Sequence, residues 1–234
     1  MKRIIKISLI LLLVGMAVIA AVPFFKEKRA ERKYENDFKN IQESVTEKKS
    51  DVNGLVKKNK DCIGYVEIQG TTISYPVMQT KDNPDFYLNH DFNRNYSFYG
   101  TPYLSAYCDV EKSDNLIIYG HNINGGKMFG ALEQYKDKEF FYKHRKIYFT
   151  TDKKREYEVF AVMSVNIHEF EYWKFVMARD EKEYDEFVDK VEEHSLWRQG
   201  NKPKYGEQML MLSTCDNGKG DDWRIVLIAK CVYS

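Results

Sequence analysis

The sequence has no excess charge of either sign: 36 Lys and Arg stand against 35 Asp and Glu in 234 residues. That balance removes any global argument for a nucleic-acid partner. There is no Cys-x-x-Cys pair, and the five histidines show no metal-ligand spacing, so a metal site is unsupported and no cofactor is implied. Internal repeats and low-complexity tracts are missing too, which sets aside repeat architectures.

What is present is aromatic and strand-like. With 17 Tyr and 14 Phe among frequent strand-length apolar runs, a mainly β globule is favoured, large enough for one sizeable core and a small appendage. The N-terminus is a separate object. Lys2, Arg3 and Lys6 precede an apolar stretch from Ile7 to Phe25, and about 20 such residues span a bilayer as a helix. A cleaved signal peptide is the alternative, because Ala17 to Ala21 offers small residues near a cleavage point. The length of the run favours a retained anchor over residues 1–25. A short N-terminal tail left in the cytoplasm places the remainder outside the cell, where the four cysteines could form disulfides. Cys62 and Cys231 lie in apolar runs and read most simply as inert core thiols.

Residues 26–60 read as a helical appendage. Tyr34, Phe38, Ile41 and Val45 recur at helical spacing, and a second short helix over 51–60 turns Val52, Leu55 and Val56 inward. From residue 61 strands follow at Ile63–Ile68, Thr72–Met78, Thr101–Ser105, Leu116–Tyr119, Lys146–Thr150 and Glu156–Val165. One long helix interrupts them. Asp180 and Glu183 form a capping-box-like start, with Tyr184, Phe187, Val188, Val191 and Leu196 as its buried stripe. Strands with one helical insertion and a helical preface suggest a closed β-barrel over 61–234.

The chemistry lies in the last hairpin. The run Gln208-Met-Leu-Met-Leu-Ser-Thr-Cys215 and the run Arg224-Ile-Val-Leu-Ile-Ala-Lys230 are split by the turn-forming Asp216-Asn-Gly-Lys-Gly-Asp-Asp-Trp223. A hairpin brings the thiol of Cys215 and the guanidinium of Arg224 to one rim. A buried inert thiol is the bland alternative. Ser213 and Thr214 add hydroxyls and backbone donors beside the sulfur, the polar Gly-containing loop argues for exposure, and a fixed cation can steady an oxyanion. A thiol nucleophile also needs a proton-handling partner. His90, His144, His168 and His194 fit surface roles. His121 follows the apolar strand through Gly120 and precedes Asn122-Ile-Asn-Gly-Gly126, which suits an active-site rim.

These motifs resemble a known family. Leu212-Ser-Thr-Cys215 followed by Arg224-Ile-Val-Leu227, with Tyr119-Gly-His-Asn122 and Met128-Phe-Gly-Ala-Leu132 upstream, is similar to the class B sortases. The likeness runs from Asp61 to Ser234 and takes in Tyr75-Pro-Val-Met-Gln79 and Tyr87-Leu-Asn-His-Asp91. It implies a membrane-anchored cysteine transpeptidase on an eight-stranded barrel that cuts a C-terminal sorting signal of surface proteins. The acyl group would pass to an amine of cell-wall precursor, or to a pilin lysine. A non-catalytic surface-binding barrel is the alternative of a different class. By the resemblance Cys215 is the nucleophile, His121 the general acid and base, and Arg224 the oxyanion or substrate stabiliser. Asn83, Leu88, Ser213, Thr214, Tyr172 and Trp173 would line the peptide groove. Asp216, Asp221 and Asp222 are acids near the thiol, more simply solvated turn residues than a third catalytic partner.

Overall fold

The structure is a computed structural model that describes residues 52–233 and, before them, scattered helical residues between 15 and 39. The chain forms two compact units, Met1–Lys49 and Ser50–Ser234. Residues 1–14, 17 and 18 of the expected anchor and the stripe Tyr34, Phe38, Ile41 and Val45 lie outside the described residues. Among the described residues no helix is long and apolar enough to cross a membrane.

In the second unit eleven strands are described. They are β1 (Cys62–Ile68), β2 (Ser74–Met78), β3 (Tyr103–Leu104), β4 (Asn115–Tyr119), β5 (Asn122–Ile123) and β6 (Lys127–Met128). β7 (Lys146–Thr150), β8 (Lys154–Asn166), β9 (Ser195–Arg198), β10 (Met209–Cys215) and β11 (Trp223–Tyr233) complete the set. Three helices join them: α1 (Val52–Lys58), α2 (Lys138–Lys143) and α3 (Glu181–Glu193).

The pairing order β11-β10-β4-β3-β2-β1-β7-β8, closed by the pairing of β11 with β8, makes a barrel of eight strands. Closure removes the unpaired sheet edges that invite aggregation. β9 is a ninth strand attached to β8 outside the ring, and β5 with β6 forms a separate small hairpin. The β2–β3 and β4–β10 pairs are parallel, the others antiparallel. The core sits in the barrel: Leu116, Ile117, Ile118, Leu210, Leu212, Val226 and Leu227 are fully buried. β10 and β11 are buried on both faces, as their unbroken apolar runs predict. The helical segment Gly130–Lys136 packs on β11, and the Trp197 indole donates to the Lys136 carbonyl at 2.9 Å.

The helices show where local patterns hold and where they stop. Asp180 caps α3, accepting from the Glu183 amide at 2.9 Å, while the Glu183 carboxylate reaches back to the Arg179 amide. Tyr184, Phe187, Val188 and Val191 are buried as the stripe requires. Leu196 is not part of that stripe: α3 ends at Glu193 with His194 as its cap, and Leu196 falls in β9, facing out. In α1 Val52 and Leu55 are buried, but Val56 is exposed. All four cysteines are free thiols. Cys62 is buried, whereas Cys231 is only half-buried, near the end of β11.

Candidate active site

Strand register alone assembles the trio. β4 and β10 run parallel with Tyr119 opposite Ser213. Two residues further on come His121, just past the end of β4, and Cys215, the last residue of β10, so both lie at the same end of the barrel. On the other side of β10 the antiparallel β11 sets Arg224 directly opposite Cys215. The thiol therefore stands on a strand flanked by an imidazole and a guanidinium.

The turn chemistry explains why this rim holds its shape. Gly120 has no room for a side chain, since a Cβ there would sit 2.8 Å from the Phe129 ring. Gly125 and Gly126 take φ of 76° and 74°, the left-handed conformation that folds β5 back on β6. The Thr214 hydroxyl donates to the Gly120 carbonyl at 2.7 Å, and the Gly120 amide donates to the Ser213 carbonyl at 3.1 Å. Asn122 adds a clamp that sequence patterns did not reveal. Its side-chain amide donates to the Cys215 carbonyl at 2.8 Å and to the Glu133 carboxylate at 2.7 Å.

His121 is oriented by the backbone. Its Nε2 lies 2.8 Å from the Leu88 carbonyl oxygen, which can only accept, so Nε2 carries the hydrogen and Nδ1 is left as the proton acceptor of the neutral ring. Among the described residues no carboxylate pairs with this imidazole. Asp216 is fully buried and turned away, bonded to Lys136 at 2.6 Å and to Ser164 at 2.6 Å. Burial alone would raise its carboxyl, but the hydrogen bonds from Lys136 and Ser164 outweigh that and hold it below the ordinary range. Asp221 offers only its carbonyl, which accepts from Arg224, and Asp222 lies beside His168 at 3.6 Å. Arg224 donates to the Trp223 carbonyl as well, at 3.0 Å, so its fork is aimed by its own turn.

Cys215, His121 and Arg224 line one cavity of about 1030 Å³, at the top of the size range of small-molecule pockets. Of the expected groove residues Leu88, Ser213, Thr214, Tyr172 and Trp173 line it; Asn83 does not, being exposed one residue before the lining pair Pro84 and Asp85. Proline at 84 turns the chain there, so the groove begins one position later. Ser213 is itself buried, and its hydroxyl is held by Tyr172 at 2.7 Å. Burial pushes the Tyr172 phenol up to about 12, so it stays a neutral hydrogen-bonding partner across physiological pH. Tyr103, Tyr119, Ile167 and Val176 also line the wall and were not foreseen, because residues far apart in the chain supply them.

A half-buried thiol, an imidazole and a guanidinium on the wall of one such cavity are the groups of a cysteine-dependent enzyme. Comparison with known proteins narrows the class. Residues 66–232 match the Sortase domain, and the chain belongs to the sortase family. It is 28% identical to sortase B of Staphylococcus aureus over 99% of this chain and 98% of that protein. It is 32% identical to sortase B of Listeria monocytogenes over 80% of this chain and 76% of that one. Among solved structures, a Staphylococcus aureus sortase B–substrate complex superposes with a TM-score of 0.77 at 26% identity, covering 89% of this chain and 99% of that chain. Clostridium perfringens sortase B superposes with a TM-score of 0.72 at 29% identity, covering 77% and 98%. The eight-stranded barrel and these relatives make the chain a sortase B-type transpeptidase.

Proposed function

We propose that the protein cleaves the C-terminal sorting signal of secreted surface proteins through a thioester on Cys215 and transfers the acyl group to an amine of cell-wall precursor. The observation that carries this reading is the placement of Cys215 on a strand between the one that leads into His121 and the one that carries Arg224. Solved sortase B complexes, one with triglycine and another with substrate, are consistent with an amine acceptor and a signal peptide for that family.

The steps follow from the groups present. His121 takes the thiol proton, and the thiolate attacks the scissile carbonyl carbon. Arg224 and a backbone amide steady the oxyanion, worth about 3 kcal/mol of barrier for one well-placed donor. As the C–N bond breaks, the imidazolium returns its proton to the departing amine, leaving the thioester. An incoming amine attacks that carbonyl, its proton passes to His121, and the C–S bond breaks to restore the thiolate. The carbonyl of Leu88 does for His121 what a carboxylate does in other triads: it fixes the ring and its tautomer.

The apolar N-terminal stretch would tether the catalytic unit to the outer face of the cell membrane, with residues 1–25 as anchor, 26–60 as appendage and 61–234 as catalytic barrel. The test is to incubate the full-length chain with a panel of sorting-motif peptides and triglycine. Ligated product with the wild type and none with Cys215→Ala supports the reading. Absence of product across the panel, or equal product with Cys215→Ala, removes it.

A further inference from the structure

The cavity carries charged groups of both signs. Its lining carries Arg224, Lys174 and His121 as basic groups, and among the lining residues Asp85 is the one carboxylate. Asp85 is exposed, and among the described residues no cation pairs with it. It is held nonetheless: the Tyr103 hydroxyl donates to its Oδ1 at 3.0 Å, leaving Oδ2 open. Tyr103 is buried and stands across from Tyr119, their rings 5.5 Å apart, and Tyr119 in turn pairs with Ser213 on β10. A row of side chains over three strands thus ties this carboxylate to the thiol's own strand. Burial, reinforced by the Asp85 charge, pushes the Tyr103 phenol well up, so Tyr103 remains a donor.

Asp85 also shares a helical turn with the group that orients the base. The Leu88 amide donates to the Asp85 carbonyl at 3.0 Å, and the Leu88 carbonyl accepts from His121. Asp85 and His121 are thus joined through Leu88 and line the same cavity.

Resting on the transpeptidase reading above, we propose that Asp85 is the acceptor-recognition residue, its carboxylate gathering the ammonium of the incoming amine beside His121. A primary amine arrives mostly protonated at neutral pH. It must be collected as a cation and deprotonated before it attacks. The ammonium gives one proton to neutral His121, the freed amine attacks the thioester carbonyl, the C–S bond breaks to thiolate, and the second nitrogen proton leaves to solvent. Imidazolium and thiolate remain, and return of the proton from His121 to the sulfur restores the neutral pair that began the cycle.

The test partitions the acyl-enzyme of the full-length chain between two nucleophiles, triglycine, whose amine is protonated at neutral pH, and hydroxylamine, which is uncharged there. Asp85→Asn keeps the acceptor for Tyr103 and removes the charge. Capture by triglycine should fall about two- to fivefold relative to capture by hydroxylamine, the size of one exposed ion pair. Added salt should shrink the wild-type preference for triglycine in the same direction. A triglycine-to-hydroxylamine ratio unchanged by the substitution overturns the assignment. So does a loss confined to acyl-enzyme formation, which would put Asp85 against the sorting peptide. A wild-type chain that forms no acyl-enzyme overturns the transpeptidase reading itself, and this assignment with it.

Discussion

The side-chain amide of Asn122 holds the backbone carbonyl of Cys215 at 2.8 Å, joining the loop after His121 to the end of β10. The same amide is held in turn by Glu133. Asn122→Ala leaves the Cys215 carbonyl without that donor and frees two strand ends to drift. Transpeptidation should fall about tenfold, since small misplacements of reacting groups are costly. Thermal unfolding should report a loss of about 1 kcal/mol. Full activity in this variant would mean that the thiol and imidazole are aligned without the clamp.

Arg224 points its guanidinium with two hydrogen bonds to backbone carbonyls of its own turn, Asp221 and Trp223. Both bonds come from one nitrogen, so a lysine ammonium placed there has no second nitrogen to offer the cavity. Arg224→Lys should therefore lower kcat/KM about a hundredfold while thermal stability barely moves. Wild-type turnover in that variant would remove Arg224 from the mechanism.

Asp216 sits fully buried between Lys136 and Ser164. Its carboxyl is held below the ordinary 3.8, so the stabilisation it confers is complete above that value and drains away as pH falls through the lower folded value. Urea unfolding of the wild type should show that acid slope below about pH 4, and Asp216→Asn should flatten it. Lys136→Met strands a buried carboxylate and should cost about 2–3 kcal/mol at pH 7, the lower end of the range because Lys136 is partly exposed. An unchanged slope in Asp216→Asn would show that other carboxylates set the acid limit.

Tyr172 and Ser213 form a buried hydroxyl pair at 2.7 Å under the cavity floor. Tyr172→Phe should lower stability by about 1 kcal/mol, and in Ser213→Ala the same change should cost less, since the bond is already gone. Additive losses in the double-mutant cycle would deny the coupling.

Legibility in the sequence follows chain distance. The hairpin of Cys215 and Arg224 was readable because both strands and the turn between them are contiguous. His121 stood out by its glycines, yet its proximity to Cys215 rests on a parallel pairing of β4 with β10 that no local pattern announces. Lys136 and Ser164 reach Asp216 from 80 and 52 residues away, so the buried network around it could not be foreseen. Asn122 stands next to the singled-out histidine, yet its hold on Cys215 was not legible, because its partners Glu133 and Cys215 are set by the β5–β6 turn. Leu196 matched the helical period, but the helix stops at its His194 cap before reaching it.

The most direct test of the account is intact-protein mass spectrometry of the full-length chain with a sorting-signal peptide and no amine. The account predicts a covalent adduct of the N-terminal peptide fragment on Cys215, discharged by added triglycine and absent in Cys215→Ala. Peptide cleavage without any adduct, or an adduct that survives in Cys215→Ala, would contradict it.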